Sequence, residues 1–178
     1  VFAKDLMVEM RDGVRLATDI YRPAMNGVPV QGRFPTILIR TPYNKDPIRT
    51  DAEYFAKRGY VSIVQDCRGR FKSQGEFYLL KNEGPDGYDT IEWIAKQPWS
   101  NGLVATTGTS YLSWVQSALA VYNPPHLKAM MPNQGGWNAY KSSLRHNGAF
   151  EMRWMSWAFI YGGPNSKEAA ADPNVKAA

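Results

Sequence analysis

Short apolar runs and amphipathic helical patterns alternate along the chain. Segments 5–10 and 14–21 alternate loosely on either side of an Asp-Gly turn, which predicts a β-hairpin. After a loop rich in Pro and Gly over 22–34, four apolar runs predict further strands: 35–40, 60–65, 103–107 and 128–132. Three helical patterns lie between these strands: 52–58, 85–97 and 112–122.

This order of elements predicts an α/β fold with a largely parallel sheet and helices on both faces. The first helix is expected to begin at a capping box formed by Thr50 and Glu53 and to end at Gly59. In such sheets, functional sites form at the carboxyl ends of the strands. Four segments should therefore meet at one rim of the sheet: 41–45, 66–68, Ser110 and 133–137.

The stretch from Leu103 to Gln116 carries the strongest candidate for chemistry. A β-prone run meets Gly108, and Ser110 follows just before a helix-prone run. A glycine two positions before a serine lets the chain bend sharply, which strains the serine backbone and holds its hydroxyl clear of the sheet. The backbone N–H groups that follow lie at a helix N-terminus, where they can stabilise an oxyanion. Ser110 is therefore a candidate nucleophile.

The same residues also fit a simpler interpretation. A Gly-Thr-Ser stretch between a strand and a helix is an ordinary turn in which Ser110 would cap the helix. Two positions after Ser110 stands Leu112, not the glycine of the G-x-S-x-G pattern. On these residues alone, the capping interpretation is favoured and both remain open.

Composition narrows the class of protein. With 44% hydrophobic and 13% aromatic residues, the chain is expected to be globular. No apolar run approaches the ~18 residues of a membrane span, and no signal-peptide pattern opens the chain, although it begins with Val rather than Met. The net charge of +5 comes from bases interleaved with acids, which indicates a solvated surface and not a nucleic-acid site. The single cysteine, Cys67, excludes an internal disulfide and leaves the compartment open.

Aromatic residues become dense after Gly135, with helical spacing in the second half of this segment. They are Trp137, Tyr140, Phe150, Trp154, Trp157, Phe159 and Tyr161. Such spacing usually marks core residues. Because the segment leaves the predicted rim, it also fits a cap that shapes a substrate pocket. The polar, Ala-rich segment 166–178 is interpreted as a linker or a cut end.

Five stretches together resemble the family of cocaine esterase, α-amino acid ester hydrolases, glutaryl acylases and X-Pro dipeptidyl-peptidases. They are MRDGVRLATDIYRP at 10–23, RTPYNK at 40–45, QDCRGRFKSQGEF at 65–77, DGYDTIEWIAKQPWSNG at 86–102 and GTSYLS at 108–113. The resemblance is collinear over about 5–150. It implies an α/β-hydrolase fold that cleaves esters or amides with a Ser-Asp-His triad. This implied fold agrees with the α/β fold that the pattern predicts.

The resemblance also implies roles for individual residues. Ser110 would be the nucleophile, and the oxyanion would be held by the backbone N–H of Tyr111 and the hydroxyl of Tyr43. A phenol can donate one such hydrogen bond. Asp66 and Arg68 fit the family's D-x-R-G turn and are expected to form a structural ion pair. No cofactor or metal is expected.

The chain departs from the family pattern at two places. Ser113 stands where the family usually has glycine, and it is small enough that the helix packing should survive. The cap segment 141–146 lacks the acidic residues with which α-amino acid ester hydrolases recognise an ammonium group. Lys141, Arg145 and Arg153 are basic instead. These bases would favour a neutral or anionic acyl group, although surface solvation explains them more simply.

A serine nucleophile needs a base, and the chain offers two histidines. His126 begins the last strand and is expected at the end of the sheet opposite Ser110. His146 lies in the predicted cap, without a well-placed acid after it. In this fold the order is Ser, then Asp or Glu, then His, and the resemblance puts both partners well downstream of the cap. We therefore expect 1–136 to be the N-terminal part of a catalytic domain and 137–178 to begin a cap.

The leading hypothesis is a serine esterase, acylase or dipeptidyl-peptidase that acts on a small-molecule ester, an amide or a peptide. The rest of the hydrolase would be its partner, with strands that carry the Asp and the His. These 178 residues alone are expected to be inactive and to expose an apolar sheet edge. The alternative is a non-catalytic α/β-hydrolase-like binding module that lacks its base.

Overall fold

The computed structural model describes residues 3–136 and 138–162. The predicted start of the cap at Trp137 and the predicted linker at 166–178 lie outside them. Six strands form the main sheet: β1 (Ala3–Glu9), β2 (Arg15–Tyr21), β3 (Phe34–Thr41), β4 (Val61–Asp66), β5 (Ser100–Thr109) and β6 (Leu127–Asn133). The helices are α1 (Arg49–Ala56), α2 (Glu83–Ala95), α3 (Tyr111–Ala120), α4 (Ala139–Ser142) and α5 (Arg153–Trp157).

The sheet has the strand order β1-β2-β4-β3-β5-β6. Strands β4, β3, β5 and β6 are parallel, whereas the β1–β2 hairpin joins them antiparallel through β4. Thr41 pairs with Asp66 and Thr109 pairs with Asn133, so the carboxyl ends of the parallel strands share one rim. The predicted α/β architecture and the convergence of its rim segments, as far as residue 136, are confirmed.

Helices cover both faces of the sheet, as predicted. On one face, Leu38 and Ile63 pack with Ile91 and Ile94 of α2 and Leu119 of α3. On the other face, the strand residues Tyr21, Ile37, Ile39 and Val64 pack with Ala52 and Ala56 of α1. Burial of this kind contributes roughly 1.5–3 kcal/mol for each large aliphatic side chain. The two cores hold the rim in place.

Two local predictions are wrong. Helix α1 begins at Arg49 after a 3₁₀ turn at Asp46–Ile48, and its N-cap residue makes no side-chain capping bond. The proline of that turn has already set a helical φ, so the predicted capping box is not needed. Glu53 instead accepts a hydrogen bond from Arg49 Nε at 2.6 Å. The predicted loop over 22–34 contains a short β-hairpin, in which the two-residue strand Ala24–Met25 pairs with Val28–Pro29.

After Gly135 the chain forms small elements on the rim. Helix α4 is followed by the paired strands Arg145–His146 and Ala149–Phe150, then by α5 and a π-helical turn, Ala158–Gly162. Phe150 and Phe159 are 46% and 73% exposed, so the core interpretation is wrong for them. None of the described helices has the length and apolar character required to cross a membrane.

Candidate active site

Ser110 lies in a strained turn between β5 and α3. Its φ is 61° and its ψ is −119°, a conformation that non-glycine residues rarely adopt. Its side chain makes no capping bond to the helix, while its backbone N–H donates to the carbonyl of Asn133 at 3.0 Å. The capping interpretation is therefore wrong, and the predicted strain is confirmed. The Ser110 residue is exposed at the rim.

Gly108 makes this turn possible. Its φ is +152°, and a Cβ added there would lie 2.4 Å from Cβ of Leu112. Ser113 fits within the helix as expected, because it is buried against Gly135. A Cβ at Gly135 would lie 2.0 Å from the Ser113 hydroxyl oxygen, so this glycine leaves the room that the serine takes.

Tyr111 is the first residue of α3, so its backbone N–H has no acceptor one turn earlier in the helix. Its phenol donates to Glu83 Oε1 at 3.1 Å and accepts from the Leu80 N–H at 3.2 Å. Glu83 in turn pairs with buried Arg40 at 3.2 Å. Burial, together with the nearby Glu83 carboxylate, raises the pKa of the Tyr111 phenol, which keeps it protonated as a donor. The elbow is thus anchored to a buried ion pair at the first residue of α2.

Tyr43 lies in the loop that leaves β3, beside the elbow. Its ring meets that of Tyr111 edge-on, with the centroids 6.1 Å apart. The indole N–H of Trp157 donates to its hydroxyl at 2.9 Å. Burial raises the pKa of Tyr43, so the phenol remains protonated at neutral pH and can donate. The structure therefore brings the three predicted site residues together: Ser110, Tyr111 and Tyr43.

A buried lysine holds the far end of the Tyr43 loop. Lys45 Nζ is buried and pairs with Asp19 at 2.8 Å and with Asp5 at 2.5 Å. Burial alone would lower the pKa of Lys45, but its hydrogen bonds to Asp19 and Asp5 raise it. The Lys45 backbone N–H donates to Asp66 Oδ1 at 2.8 Å. The β1–β2 hairpin and the end of β4 therefore fix this loop.

The predicted ion pair between Asp66 and Arg68 is wrong. Arg68 Nη2 pairs with Asp86 and Nη1 pairs with Asp12, each at 2.6 Å. Asp66 is buried and accepts from the Lys45 backbone instead. The two side chains hold different parts of the rim, because the fold brings each of them a different partner.

Asp66 should make the stability of the protein depend on pH. Burial raises the pKa of this carboxyl to about 6, above its ordinary value of about 3.9. Between pH 4 and pH 6 the unfolded chain loses this proton before the folded chain does, so the contribution of Asp66 to the free energy of unfolding falls as pH rises. Asp66→Asn keeps the Oδ1 acceptor and removes the titration. Relative to the wild type, the variant should gain up to about 3 kcal/mol between pH 4 and pH 7, measured by urea unfolding. Parallel pH profiles would contradict this prediction.

A cavity of about 590 Å³ opens beside Ser110. Its wall includes Trp114, Trp154, Trp157 and Arg153. Trp154 and Trp157 thus line a pocket, while Trp157 also packs against the buried cluster of Cys67, Tyr111 and Val115, as the core interpretation expects. Lys141 and Arg145 are exposed, as a solvated surface predicts, whereas Arg153 lies at the cavity and pairs with Glu151 at 2.5 Å.

Neither histidine forms a hydrogen bond with Ser110 in the described part of the chain. His126 pairs with Glu92 at 2.9 Å, and its carbonyl accepts from Val104 at the opposite end of the β5–β6 pairing. This position agrees with the prediction. His146 is 60% exposed at its side chain and pairs with Glu151 at 3.1 Å. The expectation that His146 lacks a nearby acid is therefore wrong, because the small hairpin brings Glu151 back to it.

Several supporting residues were not predicted from the sequence. Glu83 precedes the helix predicted over 85–97, and Arg40 ends the strand predicted over 35–40, so neither carries a predicted role. A buried arginine requires an acidic partner, so Arg40 in that run was a usable signal. Trp157 carried no signal beyond its aromatic spacing. Burial raises the pKa of Cys67 well above its ordinary value, which leaves this residue an inert thiol rather than a competing nucleophile.

Comparison with known proteins decides the family. Residues 12–178 match the sequence profile of X-Pro dipeptidyl-peptidase (S15 family). The chain belongs to this family. It is 40% identical over 146 residues to cocaine esterase from Rhodococcus sp.. The matched region covers 79% of this chain and 25% of that protein. The resemblance drawn from the sequence motifs is confirmed.

Solved structures give the same family fold. A CocE/NonD family hydrolase from Staphylococcus aureus superposes with a TM-score of 0.81 at 30% identity, over 98% of this chain and 35% of that one. An α-amino acid ester hydrolase superposes with a TM-score of 0.65 at 29% identity, over 77% of this chain and 26% of that one. The chain thus spans about a quarter to a third of the length of these relatives.

Proposed function

We propose that this chain carries the nucleophile and the oxyanion hole of a serine hydrolase that cleaves ester or amide bonds. Ser110 attacks the substrate carbonyl carbon, and the carbonyl oxygen becomes an oxyanion. The Tyr111 backbone N–H and the Tyr43 hydroxyl donate hydrogen bonds to that oxygen. The substrate is a small ester, an amide or a peptide.

The observation that carries this proposal is the backbone of Ser110. A non-glycine residue at φ 61° costs roughly 1–3 kcal/mol and persists only where the surroundings impose it. Here Gly108 leaves room for the bend, and Tyr111 is anchored to Glu83. The strain presents Ser110 beside the cavity, where a serine in an unstrained turn would turn its hydroxyl to the helix.

The base and the acid are proposed to come from sequence outside these 178 residues. Both histidines support this, because among the described residues neither forms a hydrogen bond with Ser110, and His126 lies at the opposite end of the β5–β6 pairing. Strand β6 supports it too. Among the described residues it ends the sheet, and Met131 on it is 61% exposed. Further parallel strands pairing with β6 would complete the sheet and bring the missing partners to the same rim.

A comparison of the intact protein with residues 1–178 alone tests whether the base lies outside these residues. The intact protein should hydrolyse p-nitrophenyl acetate, whereas purified residues 1–178 should give no turnover above the Ser110→Ala form, because a serine without a base is a poor nucleophile. Turnover by residues 1–178 that depends on Ser110 would contradict the assignment of the base. An intact protein without turnover on ester and amide substrates would favour the non-catalytic binding module.

A further inference from the structure

We infer that Trp157 is a positioning residue, which holds the Tyr43 hydroxyl as a hydrogen-bond donor and so makes oxyanion stabilisation depend on the cap helix α5. This inference rests on the proposed function. Trp157 lies 114 positions after Tyr43 in the sequence. It belongs neither to the motif at the elbow nor to the motif in the Tyr43 loop.

The direction of the hydrogen bond carries the first step. An indole N–H can only donate, so the Tyr43 oxygen accepts from Trp157 at 2.9 Å. The phenol has a single hydrogen, and this contact does not use it. Within the described residues, no other hydrogen bond of that hydroxyl is found, so its hydrogen remains available for a substrate oxygen. The Trp157 bond also lowers the pKa of Tyr43 against the effect of burial, which makes the phenol a stronger donor.

Trp157 contacts both residues of the proposed oxyanion hole. Its ring stacks on that of Tyr111, with the centroids 6.0 Å apart and the planes 5° apart. It meets the Tyr43 ring edge-on at 6.4 Å. The same indole lines the cavity beside Ser110. One side chain of the cap therefore fixes the two donor residues relative to each other.

Arg70 forms a second connection between the segment around α5 and the Tyr43 loop. Arg70 is buried and donates from Nε to the Pro42 carbonyl at 2.9 Å. Its Nη2 donates to the Tyr161 carbonyl at 2.8 Å. Arg70 thus joins the Tyr43 loop to the turn that follows α5. With both connections formed, displacement of α5 would move the Tyr43 hydroxyl.

The test is a double-mutant cycle in the intact protein with p-nitrophenyl acetate. Trp157→Phe keeps a ring and removes the N–H, so kcat should fall about 10-fold while KM changes little. In the Tyr43→Phe background, the same substitution should have no further effect on kcat. Trp93→Phe is the control. This tryptophan lies on α2, meets Trp99 edge-on at 6.3 Å and does not line the cavity beside Ser110, so kcat should be retained.

A second variant separates the N–H from the packing of the ring. Replacing Trp157 by benzothienylalanine keeps the shape and deletes only the donor, so it should reproduce the loss in kcat with an unchanged melting temperature. The inference is overturned if either variant keeps full kcat, or if Trp157→Phe lowers kcat equally with and without Tyr43→Phe. Those outcomes leave the proposed function intact, whereas full turnover by Ser110→Ala would overturn the function itself.

Discussion

Replacing Ser110 with alanine should lower the turnover of p-nitrophenyl acetate by the intact protein about 10⁴–10⁶-fold. The hydroxyl is the only group of this side chain that can attack a carbonyl carbon, and its removal leaves only binding and the oxyanion donors. Alanine is smaller than serine and the position is exposed, so the fold should be retained. The measurement is kcat under steady-state conditions. The variant must be purified free of wild-type protein, because traces of active enzyme would mask the loss.

The matched control for this change is Ser117→Ala. Ser117 lies on the same helix, and within the described part of the chain its hydroxyl donates only to the Ser113 carbonyl, at 3.4 Å. Its loss should change kcat by less than about twofold, because surface and helix substitutions of this kind usually cost within about 0.5 kcal/mol. Equal activity of Ser110→Ala and Ser117→Ala would exclude Ser110 as the nucleophile.

Replacing Tyr43 with phenylalanine should lower kcat about 10²–10³-fold, the usual cost of losing one oxyanion donor. The ring and its edge-on contact with Tyr111 are retained, so the loss isolates the hydroxyl. KM should change far less than kcat, because the donor acts on an oxygen that becomes charged only in the transition state. The two constants are measured with the same ester over a range of concentrations.

Tyr60→Phe is the control for general effects of removing a phenol. Tyr60 is 38% exposed and directly precedes β4, at the end of that strand opposite the rim, so its substitution should leave both constants unchanged. A Tyr43→Phe variant that keeps wild-type kcat would show that the second donor lies elsewhere, and the inference about Trp157 would fail with it.

The order of elements could be predicted from the sequence because each element carries a local signal. Continuous apolar runs at 35–40 and 60–65 predicted strands buried on both faces, and both became interior parallel strands of the sheet. The glycine two positions before Ser110 predicted a sharp bend, and the backbone has the strain that this bend requires. Once strands are parallel, the rim follows from topology alone.

The support around the site could not be predicted, because it depends on long-range pairing. Nothing near Tyr111 in the sequence indicates that its phenol reaches Glu83, 28 positions earlier. Likewise the bond between Trp157 and Tyr43 exists only once helix α5 packs against the Tyr43 loop. The prediction of an ion pair between Asp66 and Arg68 was wrong for a related reason. Proximity in sequence suggested a partner, whereas the fold offered each residue a better one.

The central claim is that Ser110 is the nucleophile, and covalent labelling tests it most directly. The intact protein is treated with a fluorophosphonate probe, digested, and mapped by mass spectrometry. The adduct should lie on Ser110, and Ser110→Ala should remain unlabelled while Ser117→Ala labels as the wild type does. An adduct on another serine, or an active enzyme whose Ser110 stays unmodified when the probe inhibits it, would contradict the claim.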